Sequence, residues 1–99
     1  LILCGHTHLA RAVSLADGRL IVNPGSVGCP AYTAYTDENP VHHKMETGHA
    51  LASYAILEKT VGRWLPTFRT VAYDHMTMSR MASARRRVDW ASALATGRV

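Results

Sequence analysis

Two histidines separated by one residue, in Gly5-His6-Thr7-His8, are the side chains of this sequence best suited to chemistry. In an extended segment positions i and i+2 point the same way, so both imidazoles are expected on one side and Thr7 on the other. A pair of neutral imidazoles suits borderline divalent metals such as Mn, Fe, Ni or Zn. Gly5 clears a side chain where backbone must run close to such a site. Water or backbone groups serve a loop His-x-His pair equally well, so the spacing by itself leaves both readings open.

A second focus is Asn23-Pro24-Gly25-Ser26. Its backbone N–H groups could cradle a phosphate oxygen, which makes Asn23 and Ser26 candidates for substrate binding. As plain structure it is a tight turn in which Asn23 bonds its own backbone. His49, just ahead of a strand, is a third substrate-binding candidate. His42 and His43 stand beside Lys44 and read as solvated, and His75 has no evident role. Cys4 and Cys29 read as packed, reduced thiols of an intracellular protein rather than a disulfide pair. The run Arg85-Arg86-Arg87 raises nucleic-acid binding, but no aromatic residue interleaves with it for base stacking. Arginines near a helix C-terminus also complement its dipole, so nucleic acid is not an expected partner.

The elements that must position these residues follow from local pattern. Residues 1–4 read as a short buried strand and 5–9 as a loop. Ala12–Ala16 and Arg19–Val22 are two strands joined by Asp17-Gly18, a pair suited to a type I′ turn. Residues 29–49, with Pro30, Pro40 and Gly48, are expected to form a long irregular insertion. Ala52–Lys59 and Thr67–Tyr73 are strands with a turn near Val61-Gly62. Asp74 caps a helix over His75–Ala84, with Met78, Met81 and Ala82 at helical spacing, and a second helix over Asp89–Ala95 ends at Gly97. Trp64, Phe68 and Trp90 are expected in the core or covering a sheet. The order is strands first, then helices.

Composition sets the outer limits. The chain has 99 residues, 47% hydrophobic and 18% charged, with a formal net charge of +4. It is too apolar for disorder, and no apolar run reaches the ~20 residues that span a membrane, so no membrane is expected. One domain is the most that this length allows. The sequence opens on an apolar strand without a polar lead-in, which reads as the C-terminal portion, 1–99, of a longer single domain whose N-terminal portion precedes it.

Gly-His-Thr-His leaving an apolar strand, followed by a hairpin ending in Asn-Pro-Gly-Ser, resembles the calcineurin-like metallophosphoesterases, in particular their small bacterial and archaeal phosphodiesterase branch. The run from Gly48 to Leu57 and the pair Tyr73-Asp74 resemble the tail of such proteins more weakly. The resemblance implies an α/β fold, the C-terminal part of a four-layer α/β/β/α sandwich. It also implies His6 and His8 as ligands of two divalent metal ions that together activate a hydroxide. The reaction would be hydrolysis of a phosphomonoester or phosphodiester substrate by a cytoplasmic enzyme.

The family's bridging carboxylates lie on an Asp-x-His, a Gly-Asp and a Gly-Asn-His/Cys-Asp segment, and none of these is present here. Asp17, Asp37, Glu38, Glu46, Glu58, Asp74 and Asp89 have no such spacing. This chain alone is therefore expected to be inactive, with the missing N-terminal part of the same protein as its partner and self-association through an open sheet edge as a further possibility. The rival reading is a non-enzymatic α+β module that binds a partner, nucleic acid included, through its basic C-terminal tail.

Overall fold

The computed structural model describes residues 1–36 and 39–99, and no side chain of residues 35–42 is described, so Asp37, Glu38 and the His42 side chain lie outside the described residues. The described residues are mixed α/β, with three small sheets and, at the C-terminus, two helices. β1 (Ile2–Leu3), β2 (Arg11–Ser14) and β3 (Leu20–Asn23) form one sheet in the order β1-β3-β2, β1 parallel and β2 antiparallel to β3. Central β3 carries the most buried residues of this sheet, Val22 and Asn23. β1 is exposed along its length rather than buried as expected, because among the described residues β3 alone pairs with it and no layer covers it.

The Asp17-Gly18 hairpin forms, with a different turn. Leu15 N–H donates to the Arg19 carbonyl at 2.8 Å, Gly18 N–H donates to the Leu15 carbonyl at 3.0 Å, and Gly18 takes φ 81°. Asp17 stays outside the left-handed region, where its carboxylate accepts from the Arg19 N–H and guanidinium. A type I turn followed by a left-handed glycine has therefore replaced the expected type I′ turn.

The segment 29–49 corrects a larger expectation. In place of an irregular insertion, β4 (Ala31–Thr36) and β5 (Asn39–Glu46) form an antiparallel ribbon, in register from Ala31 opposite Glu46 to Ala34 opposite His43. The prolines that suggested a loop stand where a ribbon tolerates them. Pro30 precedes β4, and Pro40 lies on a strand that pairs on one side only.

β6 (Ala52–Thr60) and β7 (Arg63–Val71) pair along their whole length around a two-residue turn at Val61-Gly62. Both turn residues have positive φ, 46° and 77°, the requirement of a type I′ turn. A β-branched side chain fits that conformation poorly, and Val61 gains nothing from packing because it is 96% exposed. Val61→Asn is expected to stabilise the protein by about 1 kcal/mol, since Asn-Gly is the preferred pair there. A higher urea midpoint at unchanged slope checks this.

α1 (His75–Ala84) starts as the sequence predicts. The Asp74 carboxylate accepts from the Thr77 N–H at 3.0 Å and the Thr77 hydroxyl at 2.7 Å, and these bonds hold its pKa below the ordinary carboxylate value. The helix ends at the arginine run. Arg86 adopts φ 59°, its N–H donates to Ser83, and the Arg87 N–H donates to Ala82, the bond pattern of a Schellman motif. Arg85–Arg87 thus form the stop between the helices rather than one helical face, and Arg87 is occupied in a bidentate pair with Asp89. That pair holds the Asp89 carboxyl down to about 2.

α2 (Val88–Thr96) packs on α1 through Ser79 and His75. The Ser79 hydroxyl donates to the Ala91 carbonyl, and His75 Nδ1 bonds the Leu94 carbonyl, which gives His75 a structural role the sequence did not reveal. Gly97 closes α2 in the left-handed conformation.

The result is a slab of 50 × 37 × 17 Å. Its accessible surface is 7019 Å², against about 5,500 Å² for a compact monomer of 10.8 kDa. Phe68 and Trp90 are exposed and Trp64 half-buried, so none of the three is core within this chain. Met78, Met81 and Ala82 do share a face, but they line an open apolar hollow of about 540 Å³ with Trp90, Leu94 and Val27. Among the described residues no helix is long and apolar enough to cross a membrane.

Candidate functional site

The His6–His8 segment connects β1 to β2 and is not extended. His6 has φ 67° and His8 φ 56°, so the expectation of an extended strand end with alternating side chains does not hold. The Thr7 N–H donates to the Gly5 carbonyl at 2.8 Å, which closes a tight turn around His6. Positive φ in a residue other than glycine costs on the order of 1–3 kcal/mol and persists only where the surroundings enforce it. Two such residues within three positions call for an enforcing structure, and β3 and β4 supply one.

Asn23, at the end of β3, is 3% exposed and uses its amide in both directions. Nδ2 donates to the Gly5 carbonyl at 3.0 Å and to the Thr7 hydroxyl at 2.8 Å, while Oδ1 accepts from the Gly25 N–H at 3.0 Å. One side chain therefore ties the histidine segment to the Asn23–Ser26 turn. Ser26 extends the chain of contacts. Its hydroxyl accepts from the N–H groups of Gly28 and Cys29, and its carbonyl accepts from Ser53 at the start of β6.

Cys29, fixed in this way, presents its carbonyl to His8 Nδ1 at 2.9 Å. A carbonyl only accepts, so Nδ1 carries a proton, and in the neutral ring Nε2 is then the nitrogen with the lone pair. Metal-binding histidines are oriented by this same kind of bond from the ring nitrogen that does not ligate. His8 is half-buried and His6 exposed.

The ribbon closes the other side. The Tyr32 hydroxyl on β4 donates to the His6 carbonyl at 3.0 Å, and the Tyr32 ring lies edge-on to His8 with centroids 5.1 Å apart. His43 on β5 approaches the same ring at 6.1 Å. His6, His8, Asn23 and Ser26 are thus brought together, each with a defined geometry.

His49 is not joined to them by any contact among the described residues. Its Nδ1 accepts from the Leu51 N–H, and its backbone lies against Gly97 after α2. Cys4 and Cys29 are both free thiols, bonded to the Val22 and Ala31 carbonyls, and burial pushes the Cys29 thiol up from its ordinary value.

Tyr32 and Thr7 are the residues that the sequence reading missed. The run Ala31-Tyr32-Thr33-Ala34-Tyr35-Thr36, rich in aromatic and β-branched residues, is the signal that could have exposed β4 and with it Tyr32.

As a donor set, the two imidazoles fit borderline divalent metals. Among the described residues no group of three or more His, Cys, Asp or Glu side chains converges as a metal site. No protein-family model matches the chain, and no curated protein is significantly similar to it.

Proposed function

We propose that this chain is the C-terminal part of a metal-dependent phosphoester hydrolase with a four-layer α/β/β/α sandwich, and that His6 and His8 are its contribution to a two-metal centre. The observation that carries the reading is the enforced geometry of His6-Thr7-His8. Two histidines at positive φ are held by Asn23 and Tyr32, and His8 is locked in the tautomer that leaves Nε2 free. Two strained residues within three positions, held from β3 and from β4, are what single this segment out. The 17 Å thickness and the apolar surface left uncovered on Leu3, Phe68, Met78 and Trp90 support a slab that further layers complete.

When bound, a pair of divalent ions clamps a phosphoryl group and supplies a nucleophile at neutral pH. The chain's own residues orient the ligands. His8 is aimed by Cys29, the Thr7 hydroxyl is held by Asn23, and Ser26 fixes Cys29. The Gly25, Gly28 and Cys29 N–H groups are engaged by Asn23 and Ser26, which gives those two side chains a bracing role. The carboxylates that neutralise the metals come from the preceding part of the same protein, and the chain alone does not hydrolyse substrate.

The test is the His6→Ala, His8→Ala double variant in the protein that carries the complete domain. Metal content and hydrolysis of a chromogenic phosphodiester with added Mn²⁺ are both expected to fall to background while the far-UV circular dichroism is kept. Undiminished hydrolysis would overturn the proposal.

A further inference from the structure

We infer that Tyr32 is a positioning residue of the histidine site, which makes the β4–β5 ribbon part of that site and not an appendage. The inference rests on His6 and His8 being metal ligands. Three contacts converge on this one side chain. Its hydroxyl donates to the His6 carbonyl at 3.0 Å, its ring meets His8 edge-on at 5.1 Å and 69°, and the His6 ring stands 6.3 Å away at 41°. Edge-to-face contact between aromatic rings is the favoured geometry at such separations.

The hydroxyl and the ring do different things. At φ 67° the His6 peptide is turned away from any ladder partner, and its carbonyl oxygen is taken up by Tyr32. This bond fixes the one peptide carbonyl between the groups that Asn23 addresses, since the Asn23 amide holds the Gly5 carbonyl and the Thr7 hydroxyl. The segment is therefore clamped from β3 and from β4 at once, and rotation about either histidine breaks at least one bond. The ring limits where the His8 imidazole can sit once Cys29 has fixed its Nδ1.

The ribbon is built to deliver this side chain. Tyr32 stands opposite Met45, which is 3% exposed, so the base of the ribbon is packed. Thr47 adds two bonds to the Pro30 carbonyl, one from its N–H and one from its hydroxyl, just before β4 begins. His43, two positions before Met45 on β5, faces the same side of the ribbon as Tyr32 and flanks its ring at 6.1 Å.

Tyr32→Phe keeps the ring and removes the hydroxyl, and Tyr32→Ala removes both. Residues that orient metal ligands typically alter metal affinity by about 10- to 100-fold when changed. Tyr32→Phe is expected to weaken Mn²⁺ binding within that range by calorimetric titration and to shift the visible spectrum of the Co²⁺-loaded protein. The substrate KM at saturating metal stays unchanged. Tyr32→Ala is expected to weaken Mn²⁺ further, and the thermal midpoint of metal-free Tyr32→Phe should fall by only the few degrees that one exposed hydrogen bond is worth.

The His6→Ala, His8→Ala protein is titrated in parallel. If it binds Mn²⁺ as the parent does, the metal-centre reading itself fails. If it loses Mn²⁺ while Tyr32→Phe binds as tightly as the parent with an unaltered Co²⁺ spectrum, the metal reading stands and the role of Tyr32 is overturned.

Discussion

Asn23→Ala is expected to remove about 3 kcal/mol of stability and to release the histidine segment. The side chain is 3% exposed and makes three hydrogen bonds, to the Gly5 carbonyl, the Thr7 hydroxyl and the Gly25 N–H. Each such bond is worth about 1 kcal/mol net, and more where the abandoned partner stays buried. Against a total of about 5–15 kcal/mol for a domain this is a large loss. At about 4–8 °C per kcal/mol for a chain of this size, the thermal midpoint should fall by more than ~10 °C. Mn²⁺ affinity should fall with it, because His6 and His8 keep their positive φ only while Asn23 holds Gly5 and Thr7. Asn23→Asp offers no rescue, since a carboxylate places an acceptor against the Gly5 carbonyl. An Asn23→Ala protein with parental Mn²⁺ affinity and less than ~1 kcal/mol of destabilisation would remove Asn23 from the site.

Gly97→Ala is the second large effect, of about 3–4 kcal/mol, and its origin is steric. Gly97 has φ 71°, and a Cβ there would overlap the backbone nitrogen and oxygen of His49. Those are backbone atoms, so no side-chain rotation relieves the contact. The Gly48 N–H also donates to the Gly97 carbonyl at 3.0 Å, so a shift would loosen the join between α2 and the segment leaving the ribbon. The left-handed conformation costs alanine about 1–2 kcal/mol and overpacking a further 1–3. Gly18→Ala separates the two. Gly18 shares the positive φ, at 81°, but nothing lies within 4 Å of its Cβ position, so only the smaller, conformational loss is expected. Equal urea midpoints for the two variants would show that the contact with His49 carries no energy.

Where structure is set by neighbours in sequence, it was readable. Asp74 caps α1 at the predicted residue, Gly97 ends α2, and Val61-Gly62 turns the β6–β7 hairpin with both residues at positive φ. The histidine pair and the Asn23–Ser26 turn were also visible as residue types in order. Their joint geometry was not. Asn23 reaches Gly5 and Thr7, which lie far upstream, and no local pattern encodes those bonds.

The extended conformation assumed for His6-Thr7-His8 failed for the same reason, because long-range bonds overrule the local preference for negative φ. The β4–β5 ribbon was hidden by its prolines and small residues, although β4 is rich in aromatic and β-branched residues. Exposure of Phe68 and Trp90 shows the limit of assigning large apolar residues to a core from type alone. A side chain is buried only where another layer faces it.

The strand order β1-β3-β2 has a consequence for the order in which this region takes shape. β2 and β3 meet across a tight turn that brings Ser14 to Leu20, whereas β1 reaches β3 through Ile2 and Ile21, with the whole hairpin between them. Closing the short loop forfeits less chain entropy, so the hairpin assembles first and β1 docks on it afterwards. His6 and His8 are strung between the late strand and the early one. They leave the ribosome before β3 and gain their shape only once Asn23 has emerged and β1 has found its place. A nascent chain therefore carries both imidazoles for some time as ordinary flexible side chains, until the last pairing of this sheet fixes the segment between them.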